Sequence, residues 1–558
     1  MTPRVANRRI RLLLAVAVVV FAGTLARAVW LQGVQAGTFA QMASSQHRET
    51  KVVPAGRGTI FDRTGEPLAI GQQATTIYAD PRRVRDPRAT ALAVARILDL
   101  DPNALHPLLA DRSRHFVFVQ RKADPAKAAK LEALALPGIE FYAEELRAYP
   151  QRTVAAHVLG FAGLDNEGLE GLEKALDREL AGKPGSKTIV KDPLGQVIDE
   201  IESKPERPGA DVFLTLDHRM QANAEAVLKE TIKSTRARGG TAIVLDPRTG
   251  AILAMANAPT FDPNRFSVSK LDARRNRAIT DTYEPGSTFK LVTVAAALSE
   301  KLVTPMTPFT LETSIRVADR IINEHEPRAT QRMTVAQILS QSSNVGTITL
   351  AQMLGKERVL DWIDRFGFGK PTGVDYPGES GGILPSYWSG STIGNVPIGQ
   401  GIAVTALQMA AAYGAIANGG VLHQPHLVDR VDGRRRPLRP GRRVVSATVA
   451  AQVMTMLRDV VSAEGGTGAA AAVPGYTVAG KTGTAAKPEP GGYSTSRYVA
   501  SFAGVVPAKD PRLVILVSID EPKTAIWGGV VAAPAFSKIA QFGLRYLEIP
   551  PDATPQQP

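Results

Sequence analysis

Apolar residues run unbroken from position 12 to 26, pause at Arg27 and resume through 28–31. A helix over residues 12–31 is long enough to cross a hydrocarbon core, which takes about 20 residues. Arg27 lies near the far end, where a long side chain can reach the interface, and Trp30 suits the same depth. Arg4, Arg8, Arg9 and Arg11 precede the run and favour an N-terminus held in the cytoplasm. The pattern predicts a cytoplasmic tail over 1–11, a transmembrane anchor over 12–31, and an exported remainder. A cleaved signal peptide is the rival reading, because Ala26-Arg27-Ala28 loosely fits an A-x-A site. The length of the run and its interfacial residues favour retention of the anchor.

Past the anchor the pattern shortens. Residues 32–207 mix short strand-like and helix-like segments and hold no catalytic constellation. The polar, Pro- and Gly-rich stretch Ser203-Lys204-Pro205-Glu206-Arg207-Pro208-Gly209 reads as a domain boundary. Residues 241–246 and 251–256 then form apolar strands around Pro247-Arg248-Thr249-Gly250, a hairpin signature. Residues 498–506 and 512–519 repeat the strand–turn–strand pattern, and helical segments such as 291–298 and 406–417 lie between the two pairs. Strands at both ends with helices between predict an α+β domain with an antiparallel sheet over 208–548. The Pro- and Gln-rich residues 549–558 read as a flexible tail.

Composition adds limits. The 558 residues exceed one compact domain, and 44% hydrophobic with 21% charged residues is an ordinary globular balance. The absence of cysteine excludes disulfides, thiolate metal sites and a cysteine nucleophile. The net charge of +13 is densest at Arg434, Arg435, Arg436, Arg439, Arg442 and Arg443. Pro437, Pro440 and Gly441 interrupt that cluster, so it reads as a solvated loop, and the anchor argues against a nucleic-acid partner.

The chemistry starts at Glu284-Pro285-Gly286-Ser287-Thr288-Phe289-Lys290. Pro and Gly mark a turn, and the apolar run after Lys290 marks a helix, so Ser287 stands at its first turn. Lys290, three residues on, shares that face. The helix is apolar almost all round and therefore buried. Loss of hydration lowers the pKa of a buried lysine, which sets a neutral amine beside a hydroxyl, a base beside a nucleophile. The helix N-terminus also favours negative charge developing near Ser287. Ser267-Val268-Ser269-Lys270 matches the same spacing, but Asp272, Arg274 and Arg275 follow it, too charged to bury an amine.

Two further elements raise the specificity. Ser342-Ser343-Asn344, between helical segments 334–339 and 348–354, offers a hydroxyl for proton relay and an amide to hold a peptide. Lys481-Thr482-Gly483-Thr484 follows the strand-like run 476–479. A strand edge can take an extended peptide by β-addition, Lys481 and Thr482 can meet a carboxylate, and Gly483 leaves room for close approach to the backbone.

Serine penicillin-binding proteins and serine β-lactamases share S-x-x-K, S-x-N and K-T-G in this order, and the chain resembles them at Ser287–Lys290, Ser342–Asn344 and Lys481–Gly483. Arg57-Gly58-Thr59-Ile60-Phe61-Asp62-Arg63, Arg147-Ala148-Tyr149-Pro150 and Gly168-Leu169-Glu170-Gly171-Leu172-Glu173 resemble the pedestal (dimerisation-like) domain of class B enzymes. Gly399-Gln400-Gly401 and Thr405-Ala406-Leu407-Gln408-Met409 resemble the stretch ahead of K-T-G. Ser343 stands where class A β-lactamases usually carry Asp, which favours transpeptidases.

The resemblance implies a pedestal over 32–207, a catalytic domain over 208–548, and a D,D-transpeptidase that acylates Ser287 with a D-Ala-D-Ala stem peptide. Lys290 would take the proton and Ser342 return one to the leaving D-alanine. Asn344 would hold the peptide, and Lys481, Thr482 and Thr484 its carboxylate. The backbone N–H groups of Ser287 and Thr484 would form the oxyanion hole. β-Lactams would trap Ser287. Expected partners are a polytopic glycan polymerase and other division proteins at the cytoplasmic membrane, since size, a single anchor and Arg497–Gly504 look most like the division-type member. An elongation-type enzyme, a D,D-carboxypeptidase, and a non-catalytic scaffold or penicillin sensor stay open. No cofactor or metal is expected.

Two other signals read differently. Gly475–Thr482 satisfies the G-x-x-x-x-G-K-[ST] phosphate loop, but lacks the strand before it and the room for a helix after it. Glu324-His325-Glu326 and His423-Gln424-Pro425-His426 miss the spacing of helical metal motifs and read as solvated loops.

Overall fold

The computed structural model describes residues 3–37, 48–191, 197–326, 328–463 and 465–553. The chain divides into two compact units, Met1–Gly56 with Gly182–Pro208, and Arg57–Ala181 with Gly209–Pro558. In the first, helix α1 (Pro3–Val29) carries the apolar run through Arg27 without a break, and a π-helical turn, Trp30–Val34, extends it. Asn7–Val34 is long and apolar enough to cross a membrane, and none of it is buried in the protein. The strands Arg48–Val53, Gly185–Lys191 and Val197–Lys204 pair antiparallel in that order.

In the second unit, Asp86, Asp101 and Asp124 each precede a proline. Each caps a helix (Pro87–Leu98, Pro102–Ala110, Pro125–Glu132) by accepting hydrogen bonds from backbone N–H groups of the first turn. Proline is at home there because its missing N–H would have no helical partner anyway. Val94, Leu98, Leu109 and Leu131 of these helices share a core with Ile77 and Ile139. Those two belong to a sheet in which β1 (Pro67–Ala79) pairs with β2 (Val117–Ala123) and β3 (Ile139–Ala148).

The three pedestal-like segments meet at one buried carboxylate. Arg57 Nε donates to Glu173 Oε2 at 2.7 Å and Arg147 Nε donates to Glu173 Oε1 at 2.6 Å, with all three side chains at most 2% exposed. Arg57 also reaches Asp177 Oδ1 at 2.8 Å, and Arg147 donates to Gly58 O at 2.8 Å. Such a cluster offsets the cost of desolvation only because each charge is paired and hydrogen-bonded. Asp62 carries the same segment onward, with its Oδ2 2.6 Å from His218 Nδ1 and accepting from His218 N at 3.0 Å. Those bonds grip the first turn of α2 (His218–Thr235).

The larger part of this unit is built on β4 (Gly239–Leu245), β5 (Ile252–Ala258), β6 (Ala479–Glu489), β7 (Gly492–Val506) and β8 (Leu513–Asp520). They form one antiparallel sheet in the order β5-β4-β8-β7-β6. Between the outer strands lie α3 (Lys290–Ser299), α4 (Val335–Ser340), α5 (Asn344–Leu354) and α6 (Ala406–Ala417), and α7 (Ala533–Tyr546) follows β8. The expected α+β lobe with an antiparallel sheet is present. Strand β8 is apolar without alternation because both faces are covered. Ile515 and Val517 pack with Leu228 of α2 and Phe536 of α7, while Val514 and Leu516 join the opposite core with Met409 and Tyr413 of α6.

Two expectations change. The tail is held as far as Ala553: Ile549 is buried, Thr477 N donates to Asp552 Oδ1 at 2.6 Å, and Ala553 N donates to Gly475 O at 3.1 Å. A Pro- and Gln-rich composition hides that one aspartate, and residues 554–558 lie outside the described residues. The arginine cluster is exposed, as read, but forms two short strands, Arg434–Arg435 and Arg442–Arg443, rather than only loop.

Candidate active site

Ser287 lies in a 3-10 turn, Gly286–Phe289, that runs directly into α3. Every residue from Lys290 to Leu298 is buried, as the all-round apolar pattern requires. The turn is held from three sides. Tyr413 OH donates to Thr288 O at 3.0 Å, Thr288 Oγ1 to Pro285 O at 2.8 Å, and Gly286 N to Gly399 O at 3.0 Å. A Cβ at Gly399 would sit 2.2 Å from Gly286 O, so only glycine lets segment 399–401 back the turn that carries Ser287. The next helix, α6, starts on a reciprocal capping box between Thr405 and Gln408.

Lys290 is fully buried. Its Nζ donates to Ser342 O at 2.6 Å and Asn344 Oδ1 at 2.7 Å, with Ser342 Oγ at 3.4 Å. Burial pushes its pKa down to about 7; the nearby Glu324 carboxylate acts upward and the Arg328 guanidinium downward. The lysine thus bridges the first and second motifs. Ser342 adopts φ +61°, a left-handed conformation unusual for serine, in the link between α4 and α5. Ser343 caps α5, its Oγ accepting from Gly346 N at 2.9 Å.

The third motif lies inside β6 rather than after a strand. Residues 476–478 are not in a strand, because Thr477 N turns to Asp552; β6 begins at Ala479. Strand β6 is the edge of the five-stranded sheet. Lys481 is fully buried, its Nζ 3.3 Å from both Thr482 O and Thr482 Oγ1. Burial, then the charge of Lys290, pushes its pKa well below the ordinary lysine value. A Cβ on Gly483 would lie 2.4 Å from Ser501 Oγ and 2.9 Å from Pro285 O. Gly483 is therefore needed to press the strand against the turn that carries Ser287, a reason apart from access for a substrate. Thr484 Oγ1 accepts from Gly528 N at 3.1 Å, and Thr482 Oγ1 lies 2.8 Å from Thr467 Oγ1.

Ser287, Ser342, Thr482 and Thr484 line one cleft of about 530 Å³, together with Glu324, His325 and Trp527. Lys290, Ser342 and Asn344 are joined by hydrogen bonds, and Gly483 abuts the turn that carries Ser287. All three motifs converge.

Within 324–326 only Glu324 departs from the solvated-loop reading; His325 and Glu326 are exposed. The Glu324 side chain is 5% exposed, and His325 stacks edge-on against Trp527 with ring centroids 4.6 Å apart. Partial desolvation lowers the His325 pKa, and the charge of Lys290 lowers it further. His426 is buried as well. Its carbonyl accepts from Thr215 Oγ1 at 3.0 Å. By contrast, Ser267 and Lys270 of the second S-x-x-K are exposed. The phosphate-loop reading fails because the chain stays in strand β6 through Glu489, where that loop needs a helix. Among the described residues, ligand atoms of Asp62, Asp217 and His218 lie within 4.8 Å of one another. Asp62 already accepts from Thr64, Glu66 and His218, and Asp217 caps α2, so these groups are engaged in holding the fold.

Residues 240–541 match the penicillin binding protein transpeptidase domain, and residues 52–214 match the penicillin-binding protein dimerisation domain. The peptidoglycan D,D-transpeptidase FtsI of Escherichia coli is 35% identical over 558 residues, covering 98% of this chain and 93% of that protein. The probable peptidoglycan D,D-transpeptidase PenA of Neisseria meningitidis is 34% identical over 565 residues, covering 98% and 94%. Among solved structures, penicillin-binding protein 3 of Mycobacterium tuberculosis in complex with aztreonam superimposes with a TM-score of 0.71 at 32% identity, covering 90% of this chain and 98% of the other. The convergent motifs, the match to both domains and the near full-length relatives place this chain in the class B penicillin-binding proteins.

Proposed function

We propose that this protein is a peptidoglycan D,D-transpeptidase that works through a Ser287 acyl-enzyme. The observation that carries the reading is Lys290: fully buried, with a pKa near 7, and hydrogen-bonded into the second motif beside the cleft that Ser287 lines. A neutral amine there accepts the Ser287 hydroxyl proton as Oγ attacks the penultimate D-alanine carbonyl carbon of a donor stem peptide. The C–N bond to the terminal D-alanine breaks, and the leaving amine takes a proton through the Ser342 hydroxyl. An amine on a second stem peptide then attacks the ester. A new amide forms, and Ser287 Oγ leaves and regains its proton.

The donor peptide runs along edge strand β6 as an added strand. Lys481, Thr482 and Thr484 orient its carboxylate, Gly483 keeps the strand close, and Asn344 holds the peptide amide. The backbone N–H groups of Ser287 and Thr484 meet the oxyanion; losing one such donor elsewhere costs about 3–4 kcal/mol. A β-lactam enters as a donor mimic and stays on Ser287.

Helix α1 serves as a retained single-pass anchor with the N-terminus inside. Residues 32–207 act as the pedestal, and 208–548 as the catalytic domain outside the cytoplasmic membrane. The division (septal) role, with a polytopic glycan polymerase and other division proteins as partners, rests on the resemblance of Arg497–Gly504 to the division-type member. The test is full-length protein in detergent with defined donor and acceptor stem peptides. Cross-linked product supports the reading, whereas released D-alanine without cross-link makes the enzyme a carboxypeptidase. A penicillin adduct mapping outside Ser287 overturns the assigned nucleophile.

A further inference from the structure

Lys290 is held by Ser342 O and Asn344 Oδ1, which raises the question of what holds those two. Glu324, which follows the strand Arg320–Asn323, points its nearly buried carboxylate at them. Its Oε1 accepts from Ser343 Oγ at 2.6 Å and Val345 N at 3.2 Å, and its Oε2 from Asn344 N at 2.8 Å. Arg328 pairs with the same Oε1 and donates to Ser343 Oγ at 2.9 Å. The neighbouring Asn323 O accepts from Asn344 Nδ2 at 3.1 Å, which leaves Oδ1 as the amide atom facing Lys290.

We propose that Glu324, braced by Arg328, is a positioning residue for the reaction: it fixes the middle residues of the second motif so that Ser342 and Asn344 hold the Lys290 amine in place. Three bonds from one carboxylate reach three consecutive residues, Ser343, Asn344 and Val345. A shift of Glu324 moves the motif as a block, and the amine with it.

The inference rests on the proposed role of Lys290 as the base. The charged and titratable groups around that amine are Glu324 and Arg328 on one side, Lys481 on β6, and His325 at the cleft. Glu324 favours the ammonium form and Arg328 disfavours it, so their removal has opposite signs.

The test measures acylation of the full chain in detergent by a fluorescent penicillin between about pH 5 and about pH 9, with thermal melting alongside. Glu324→Gln is expected to lower the maximal rate about tenfold or more and to move the acid limb of the profile to lower pH. Arg328→Gln is expected to move that limb to higher pH. A group that only stabilises the fold lowers melting temperature and rate without opposite shifts. Limbs that stay in place, or move the same way in both variants, overturn the proposal. If Glu324→Gln does not fold, Arg328→Gln decides alone, and an unmoved limb overturns it. Lys290→Arg, run in parallel, separates the two readings. Acylation at the wild-type rate refutes the lysine base itself, while its loss together with unmoved limbs refutes only the role of Glu324.

Discussion

An exposed lysine keeps its proton at neutral pH; Lys290 differs because the folded chain removes the water that stabilises its charged form. Acylation should therefore rise with pH through about 7, as the native amine loses its proton. Lys290→Arg keeps a cation that gives up no proton near neutrality, so acylation by penicillin should fall by about 10²-fold or more. Far-UV circular dichroism should stay unchanged, and a mild loss of rate would move the base role to Ser342. The same shift has a stability consequence. The unfolded lysine titrates near its ordinary 10.5 and the native one near 7, so between these values the unfolded chain binds the extra proton. Wild type should gain stability over Lys290→Met as pH rises through that window, by roughly 1.4 kcal/mol per unit, and the difference should be flat below it. Denaturant titrations at several pH values read this directly. Ser287, Lys290 and Lys481 were legible from sequence because the chemistry demands those side chains at those spacings. Glu324 was not, because its partners stand 19 to 21 residues away and a charged residue in a loop ordinarily reads as solvated.

At the scale of elements, the site depends on close approach between β6 and the turn that carries Ser287. Gly483 is the contact: a Cβ there meets Ser501 Oγ and Pro285 O inside van der Waals distance. Gly483→Ala should push the strand off the turn, costing about 1–3 kcal/mol of stability as overpacking does. It should slow acylation far more than that loss of folding explains, and an unchanged acylation rate would show that the strand can yield. The charge cluster of the 57–181 segment makes a different prediction. Glu173→Ala leaves Arg57 and Arg147 buried without their shared carboxylate, and should cost about 3–5 kcal/mol. Urea unfolding of the full chain checks it; a loss below about 1 kcal/mol, the range of an exposed pair, would mean water reaches the guanidinium groups. The helical segments 291–298 and 406–417 were readable here from their apolar runs. The start of β6 was not, because residues 476–478 carry the same apolar pattern as a strand and only the bond of Thr477 to Asp552 diverts them.

At the scale of the whole molecule, one apolar helix, α1, precedes the folded lobes, and the proposed membrane partner makes it a candidate contact surface as well as a tether. Replacing residues 12–31 with an unrelated single-pass anchor tests this in cells. A swapped protein that reaches the membrane and binds penicillin but fails to support division favours a partner contact through the helix; normal septal cross-linking makes the helix a tether. The sequence by itself determined an N-terminal helix long and apolar enough to span a membrane, the α+β class of the catalytic lobe and the three motifs, because apolar periodicity and reactive side chains are local properties of the chain. Only the tertiary structure decided which charges are buried. It brought Arg57, Arg147 and Glu173 from three distant segments to one point, set Gly399 and Gly483 against the turn that carries Ser287, and placed Glu324 behind Lys290. Burial and pairing depend on contacts between residues far apart in the chain, and no local pattern encodes which distant group a side chain will meet.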